Sequence, residues 1–465
     1  MTYLRTAVPG REHRRQGRSA RRRDLLTAAI AVLFVAAVAV VGVAIQRSDD
    51  ILYVEWPPLY ATWGPHAGPG TAAALAVAAA VIAYGPVLAR RLPWRGLLLS
   101  VWAASLAWTL SLALVDGWQR GVAGRLTAKH EYLLAVDRFS RDLGGTLRNF
   151  TDHILLDQPD RWPAHVAGHP PGAVLTFVGL DRIGLSGGAW AAAWCLVVGS
   201  SAAAAVLVTL RIVAGERAAR RAAPFLVLAP AAVWAGVSAD GYFAAVAAWA
   251  VALVALACRR TARRPWSTAF AAGLLLGVTL HLSYGLVLIA LPVSAVLLQV
   301  RTVRPLLPVA AGAAAVTAAF LSAGFWWWEG YDLLVTRYYQ GVAAVRPYGY
   351  WLWGNLANAV IAAGLAAVAG ARRAVTGAPE TARRLRARQP LGSYGVVLVT
   401  VSALCMIAAA DLSGMSKAET ERIWLPFTLW LLPAAALLPV RDHRRWLMVQ
   451  ASMALLVNHM LITGW

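Results

Sequence analysis

Apolar stretches of about 16 to 22 residues recur along most of the chain, and short polar or basic segments separate them. A helix of about 20 apolar residues spans the hydrocarbon core of a bilayer. We therefore predict an all-α, polytopic transmembrane helical bundle of about 11 to 13 helices. The candidate spans are residues 25–45, 72–88, 97–115, 189–210, 223–238, 241–257, 267–283, 285–300, 307–325, 352–370, 391–410, 424–440 and 446–463.

Composition agrees with this pattern. Hydrophobic residues make up 59% of the 465 positions and charged residues only 14%, whereas soluble domains carry roughly 25% charged residues. The three cysteines, Cys195, Cys258 and Cys405, each lie in or at the end of an apolar stretch. Their spacing indicates neither a disulfide framework nor a metal site, so we interpret them as small buried side chains.

The charge distribution predicts the topology. Lys and Arg number 43 against 22 Asp and Glu, and arginines concentrate in alternate segments between the spans. The positive-inside rule places those segments and the N-terminus in the cytoplasm. We expect residues 1–23 to form a disordered basic cytoplasmic tail near anionic lipid, and residues 24–465 to form one transmembrane domain of the plasma membrane. The basic residues thus indicate membrane lipids as partners and no nucleic acid; they leave the oligomeric state open.

One long polar segment, residues 117–186, interrupts the apolar pattern on the predicted outer face. A long loop between membrane spans is costly to order and is usually functional. We expect this loop to be catalytic and to carry short interfacial helices, one of them within residues 171–186.

Two acids in this loop are candidates for a general base. Glu131 and Asp137 are six residues apart, so on a continuous helix they would not share a face. They are therefore rivals for one role, the removal of a proton from an attacking hydroxyl. The alternative for either is a solvated loop acid.

Two histidines close the loop. His165 and His169 have the spacing of metal ligands on a helix, but Gly168 and the Pro170-Pro171 pair disfavour a helix there, so we expect no metal. The segment after His169 is expected to turn the chain back toward the membrane. A plain turn before a helix is the alternative.

Basic residues recur on the same face near residue 420. Lys417 and Arg422 lie just before a predicted span, where a phosphate would compensate their charge. The alternative is internal pairing with Glu419 and Glu421. Farther away on this face, Asp240 is either a helix cap or a second site acid. His281, together with Tyr284, could line a cavity.

The order of these motifs resembles a known superfamily. An acid followed by Tyr132, a polar loop ending in HVAGHPPG (165–172), and KAETERIWLPF (417–427) are similar to segments of type-C (GT-C) membrane glycosyltransferases, which use polyprenyl-phosphate sugars. They resemble uncharacterised actinobacterial members related to cell-wall mannosyl- and arabinosyltransferases. The superfamily's loop usually follows the first helix, whereas here it follows the third predicted span.

The resemblance implies an enzyme that moves a sugar, mannose or arabinose, from a polyprenyl-phosphate donor to an envelope glycan or lipid acceptor on the outer face. It implies Glu131 or Asp137 as the base and Lys417 and Arg422 at the donor phosphate. No cofactor is expected, and a divalent metal is not indicated. The remaining polar residues of this face are expected to bind substrate: Tyr132, His165, His169, Asp240, His281, Glu419 and Glu421.

A transporter or flippase of a lipid-linked envelope precursor is the alternative function. Such a protein should carry acids and broken helices near the bilayer midplane, often in paired repeats. Here the acids lie at the outer ends of the predicted spans, which favours the enzyme. A structural subunit of an envelope complex is a third, less favoured interpretation.

Overall fold

The N-terminal helix is longer than the sequence predicts. The computed structural model describes residues 9–259 and 263–464, with side chains from residue 19 onward. Helix α1 spans Pro9–Asp49, so the predicted disordered tail is helical from Pro9, and residues 1–8 lie outside the described residues. Asp24 anchors this end, because its buried carboxylate accepts hydrogen bonds from Arg372 and Arg373 at 2.7 Å each.

A helical hairpin leads into the long loop. Helices α2 (Thr71–Arg91) and α3 (Trp94–Ala113) are joined at Leu92-Pro93, where proline fixes an extended backbone before the second helix. The loop then contains the short helices α4 (Leu133–Arg141), α5 (Leu143–Arg148), α6 (Ala164–Ala167) and α7 (Gly172–Arg182). The last of these lies within the predicted interfacial segment.

The loop has an aromatic core of its own. The ring of Trp162 stacks on those of Phe139 and Phe150, with centroids 5.5 Å away in each case. Phe150 also meets Phe325 edge-on, which ties the loop to the transmembrane helices. Buried aromatic side chains give such a segment a fixed shape, so the loop can hold side chains at defined positions.

The remaining helices complete the bundle. They are α8 (Gly188–Ser200), α9 (Ala202–Val213), α10 (Glu216–Val227), α11 (Ala232–Ala235), α12 (Ala239–Ala257), α13 (Pro265–Leu282), α14 (Ala290–Val300), α15 (Leu306–Ser322), α16 (Trp327–Gln340), α17 (Tyr348–Ala363), α18 (Leu365–Arg386), α19 (Gly395–Leu412), α20 (Thr420–Ile423), α21 (Leu425–Thr428) and α22 (His443–Met460). Short 3₁₀ turns connect several of them. The chain is a polytopic helical membrane protein by the length and apolar character of its helices.

Fewer helices than predicted are long enough to span a membrane. In the described ranges, seven helical segments meet the length and hydropathy needed, and two bent pairs raise the number to nine. The predicted spans 223–238 and 424–440 are instead broken into short helices near Pro230, Pro426 and Pro433. Proline lacks the amide donor that continues a helix. Hydropathy overestimates the number of spans, because apolar segments packed inside the bundle have the same composition as membrane-spanning segments.

A sharp bend replaces another predicted span, 352–370. Helices α17 and α18 meet at 107°, and Gly364 between them has a φ of +81°, which favours glycine. Gln450 completes the hydrogen bonding at the bend: its Nε2 donates to the carbonyl of Ala363, and its Oε1 accepts from the amide of Ala366. The bend therefore depends on Gly364 and on Gln450, which is far away along the chain.

A small sheet joins the segment after α1 to the segment after α22. Strand β1 (Ala61–Trp63) pairs antiparallel with β2 (Leu461–Thr463), with Ala61 opposite Thr463. The helical pattern does not predict this pair. It brings Gly464 beside the long loop, next to the cavity described below.

Candidate active site

The centre of the candidate site is a buried ion pair. Arg422, on the short helix α20, donates from Nη1 to Oδ2 of Asp240 in the first turn of α12 at 2.7 Å, and each side chain is 5% exposed. Ser238 caps α12, because its hydroxyl accepts a hydrogen bond from the backbone amide of Asp240. The carboxylate of Asp240 can therefore bind the arginine. Burial alone would lower the pKa of Arg422, but the carboxylates of Asp240, Glu419 and Glu131 raise it above its usual value.

His165 links this arginine to the candidate base. Nη2 of Arg422 lies 3.3 Å from Nε2 of His165, and Nδ1 of His165 lies 3.0 Å from Oε2 of Glu131. A guanidinium can only donate, so Nε2 acts as the acceptor and Nδ1 carries the proton toward Glu131. The three side chains thus form a relay from the ion pair to Glu131.

The charge state of Glu131 follows from this relay. Burial works to raise the pKa of its carboxyl, but the nearby His165 and the charge of Arg422 outweigh burial and hold that pKa below its usual value. Glu131 is therefore an ionised carboxylate at neutral pH. Its side chain is 13% exposed, which is enough to leave it accessible from the cavity next to it.

Tyr132 and His169 form the wall behind Glu131. The hydroxyl of Tyr132 lies 3.1 Å from Nδ1 of His169, which also donates to the carbonyl of His165 at 2.7 Å. Burial lowers the pKa of His169 to about 4, so its ring is neutral, and burial raises the pKa of Tyr132. The ring of Tyr132 packs against Phe177, and the ring of His169 packs against Phe243. Their observed role is to position the loop.

A cavity of about 350 Å³ opens in front of these residues. Glu131, His165 and Arg422 all line it. It is also lined by two arginines that we did not single out from the sequence, Arg120 and Arg125. The rest of the lining is mostly small or polar: Gln119, Gly124, Thr127, Ala128, His130, Val237, Ser238, Ala239 and Gly464.

Asp116 holds the two additional arginines in place. Its carboxylate lies 3.4 Å from Arg125 and 3.8 Å from Arg120, and 3.1 Å from Nε2 of His66. One signal in the sequence could have indicated them. The positive-inside rule predicts few arginines on the outer face, where we predict this loop to lie, so a pair shortly after the third span is unusual.

Other predicted site residues lie outside the cavity lining. Asp137 is exposed on α4 and lines a separate pocket with Asp181. The ammonium of Lys417 donates to the carbonyl of Ala343 and lies 5.4 Å from the ring of Tyr339. His281 is buried within the bundle, where its ring stacks on Phe320 at 4.1 Å.

The two glutamates beside Arg422 differ in environment. Glu419 lies 3.9 Å from Arg422 and 3.8 Å from Arg346, which matches the pairing considered above. Glu421 is fully buried and accepts hydrogen bonds from the amide of Tyr60 at 3.0 Å and from Asn358 at 2.9 Å. It braces the segment that carries Arg422. Within the described residues, no three His, Cys, Asp or Glu side chains are grouped so as to hold a metal ion.

Comparison with known proteins gives a weak structural likeness. No protein-family model and no curated protein matches the chain. The crystal structure of the Archaeoglobus fulgidus oligosaccharyltransferase, solved with a tethered acceptor peptide, is similar to 73% of this chain, with 16% sequence identity and a TM-score of 0.41. The match covers 49% of that protein, so the similar region spans about half its length.

Proposed function

We propose that this protein is a membrane-embedded glycosyltransferase of the GT-C type, which transfers a sugar from a lipid-linked phosphate donor to an acceptor hydroxyl. The motif resemblance suggests the class. One structural observation carries the proposal: an ionised, partly accessible carboxylate, Glu131, faces a cavity that is also lined by three guanidinium groups. A base and a cluster of fixed positive charge are the two elements that this reaction requires.

The proposed reaction is a displacement at the anomeric carbon of the donor sugar. The acceptor oxygen forms a bond to that carbon while the bond from the carbon to the phosphate oxygen breaks. The acceptor proton passes to Glu131, and the electron pair of the broken bond remains on the phosphate. His165 would keep the carboxylate of Glu131 oriented, because its Nδ1 lies 3.0 Å from Oε2.

Glu131 is the better candidate of the two acids that the sequence left open. It lines the same cavity as the arginines, whereas Asp137 is exposed on α4 and lines another pocket. A base must come within hydrogen-bond reach of the hydroxyl that it deprotonates. The placement of Asp137 outside this cavity therefore favours Glu131.

The leaving phosphate would bind to arginines of the cavity. Arg120 and Arg125 line the same cavity as Glu131, and the planar fork of a guanidinium donates two hydrogen bonds to a phosphate. Arg422 adds a third positive charge at the cavity wall. Lys417, the other predicted phosphate ligand, does not line this cavity, so we assign the phosphate to Arg120 and Arg125 in preference to it.

The finer identity of the substrates rests on the resemblance alone. We propose mannose or arabinose as the sugar, a polyprenyl phosphate as its carrier, and an envelope glycan or lipid as the acceptor. In this proposal the reaction takes place on the outer face of the plasma membrane. The substrate-binding roles of Tyr132, His169, Asp240, His281, Glu419 and Glu421 remain predictions.

A transfer assay with purified full-length protein tests the proposal. Radiolabelled polyprenyl-phosphate sugars would be supplied with envelope acceptor, and Glu131→Gln would be compared with Asp137→Asn as the matched control on the same loop. We expect Glu131→Gln to lose about 10²- to 10⁴-fold in rate and Asp137→Asn to keep most of its activity. The reverse result would move the base to Asp137.

A specific observation also favours the alternative, a transporter. The bend at Gly364 and the break near Pro230 interrupt helices as in many transporters. The same preparation in proteoliposomes separates the two functions. Movement of the lipid-linked donor across the bilayer, without sugar transfer from any donor, would contradict the enzyme and support the transporter.

A further inference from the structure

A second cavity lies at the opposite end of the bundle. It has a volume of about 420 Å³ and lies between α2, α10 and α22. Helices α2 and α22 run antiparallel: Thr71 at the start of α2 lies beside His459 near the end of α22, whereas Arg90 and His443 at their other ends both line this cavity. The 21 residues of α2 separate the two ends by about 30 Å, roughly one hydrocarbon thickness.

The cavity has an excess of positive charge. Four arginines line it, against one carboxylate, Glu216; they are Arg90, Arg217, Arg220 and Arg221. Glu216 is already paired at 2.7 Å with Arg220 and with Arg211, which lies outside the lining. It therefore offers little compensation to the remaining cations.

The arginines differ in how firmly they are held. Arg220 is fixed, because its Nη1 donates to the carbonyls of Ala89 and Leu92. Arg90, Arg217 and Arg221 are exposed, and among the residues that the structure describes no acidic side chain lies within 4 Å of any of them. Arg217 and Arg221 are four residues apart on α10, so both project from one face. These three groups are available to an anion from outside the chain.

Part of the cavity wall is apolar. Pro86 lies inside α2 and Pro224 inside α10, and both line the cavity together with Val440. A free inorganic anion would gain no favourable contact from these apolar residues. An amphiphile that carries a phosphate beside a hydrocarbon part would match both the basic mouth and the apolar wall.

We propose that this cavity binds the phosphodiester headgroup of an anionic phospholipid from the leaflet opposite the Glu131 cavity. Arg217 and Arg221 contact the phosphate oxygens, Arg90 adds charge from the facing helix, and the glycerol and upper acyl carbons pack on Pro86 and Pro224. Arginine suits this role because its fork donates two hydrogen bonds to a phosphate. The proposal does not depend on the glycosyltransferase assignment, since it concerns the other end of the bundle.

Native mass spectrometry of the full chain in detergent tests the proposal. The protein would be titrated with phosphatidylglycerol and, separately, with zwitterionic phosphatidylcholine. The variant Arg217→Gln/Arg221→Gln would be compared with Arg304→Gln/Arg386→Gln, which removes two exposed arginines outside the cavity. We expect roughly tenfold weaker retention of phosphatidylglycerol by the first variant, no change in the second, and weak phosphatidylcholine binding throughout.

Two further arms keep the test decisive. Inorganic phosphate at millimolar concentration should fail to displace the lipid from the wild-type protein; displacement would mean a site for free anions and overturn the proposal. Equal retention of phosphatidylglycerol by Arg217→Gln/Arg221→Gln and by Arg304→Gln/Arg386→Gln would also overturn it. Arg217→Lys/Arg221→Lys retains charge but loses the fork, so retention between that of the wild type and the glutamine variant supports a bidentate headgroup site. Should the glutamine variant not fold, the wild-type lipid and phosphate titrations still decide the question.

Discussion

Arg422 and Asp240 form a buried ion pair across 182 positions of the chain, with Nη1 of the arginine 2.7 Å from Oδ2 of the aspartate. The pair fastens the short helix α20 to the N-terminus of α12, where the helix dipole favours the negative charge of Asp240. His165 and Glu131 are arranged around this point. The long loop and the segment near residue 420 therefore meet at one place.

Removing the charge of Asp240 should destabilise the protein. Asp240→Asn leaves Arg422 buried without its closest carboxylate, and a broken buried pair costs about 3–5 kcal/mol. We expect a lower midpoint of thermal unfolding in detergent. Asp160→Asn is the control, because it removes an exposed aspartate that pairs with Arg138. Equal midpoints for Asp240→Asn and the wild type would show that the pair does not hold the two segments together.

His165 should control the pH dependence of catalysis. A base acts only when deprotonated, so activity falls as the pH drops through the pKa of Glu131. His165 holds that pKa down, so His165→Ala should raise it and move the acid limb of the activity profile to higher pH. The rate of sugar transfer would be measured between about pH 4 and pH 8.

A second histidine–acid pair provides the control for this experiment. His153 lies 3.0 Å from Asp160 on the same loop, but outside the cavity. His153→Ala should leave the acid limb in place. A profile that is unchanged in both variants would remove His165 from the relay while leaving the rest of the site as proposed.

Glu421 should make stability depend on pH. Burial raises the pKa of its carboxyl from 4.5 to about 7 in the folded protein. The folded state then binds the proton more tightly than the unfolded state, so the contribution of this residue to stability falls as the pH rises from about 4.5 to about 7. Glu421→Gln cannot titrate, and its unfolding midpoint should vary less over this range than that of the wild type. Parallel curves for the two proteins would contradict the prediction.

Gly364 should not tolerate a side chain. Its φ is +81°, and an added Cβ would lie 2.0 Å from Oε1 of Gln450. We expect Gly364→Ala to lower the free energy of unfolding by about 1–3 kcal/mol. Gly349→Ala is the matched control, since its Cβ would meet no atom within 4 Å on the helix α17. A neutral effect at Gly364 would mean that the bend between α17 and α18 can relax.

Part of the site could be predicted from residue types and their order. Glu131, His165 and Arg422 were each singled out because polar side chains in an apolar chain are few. Their mutual distances could not be predicted, since no spacing rule connects position 131 with position 422. Arg120 and Arg125 were missed for the same reason: their relevance comes from the cavity that they share with Glu131. The sequence could not predict either that Asp137 and Lys417 lie away from that cavity.

The sequence by itself determined that the chain is a membrane-spanning helical bundle, because the free energy of burying apolar residues in a bilayer depends on composition and run length. Only the tertiary structure decided where the apolar segments bend or stop being helical. The bend at Gly364 needs Gln450, and the strand pair needs residues 61–63 and 461–463 together. Such features, like the pairing of Arg422 with Asp240, are satisfied by partners far away along the chain. Local pattern therefore predicts the elements, and long-range packing and hydrogen bonding decide the site.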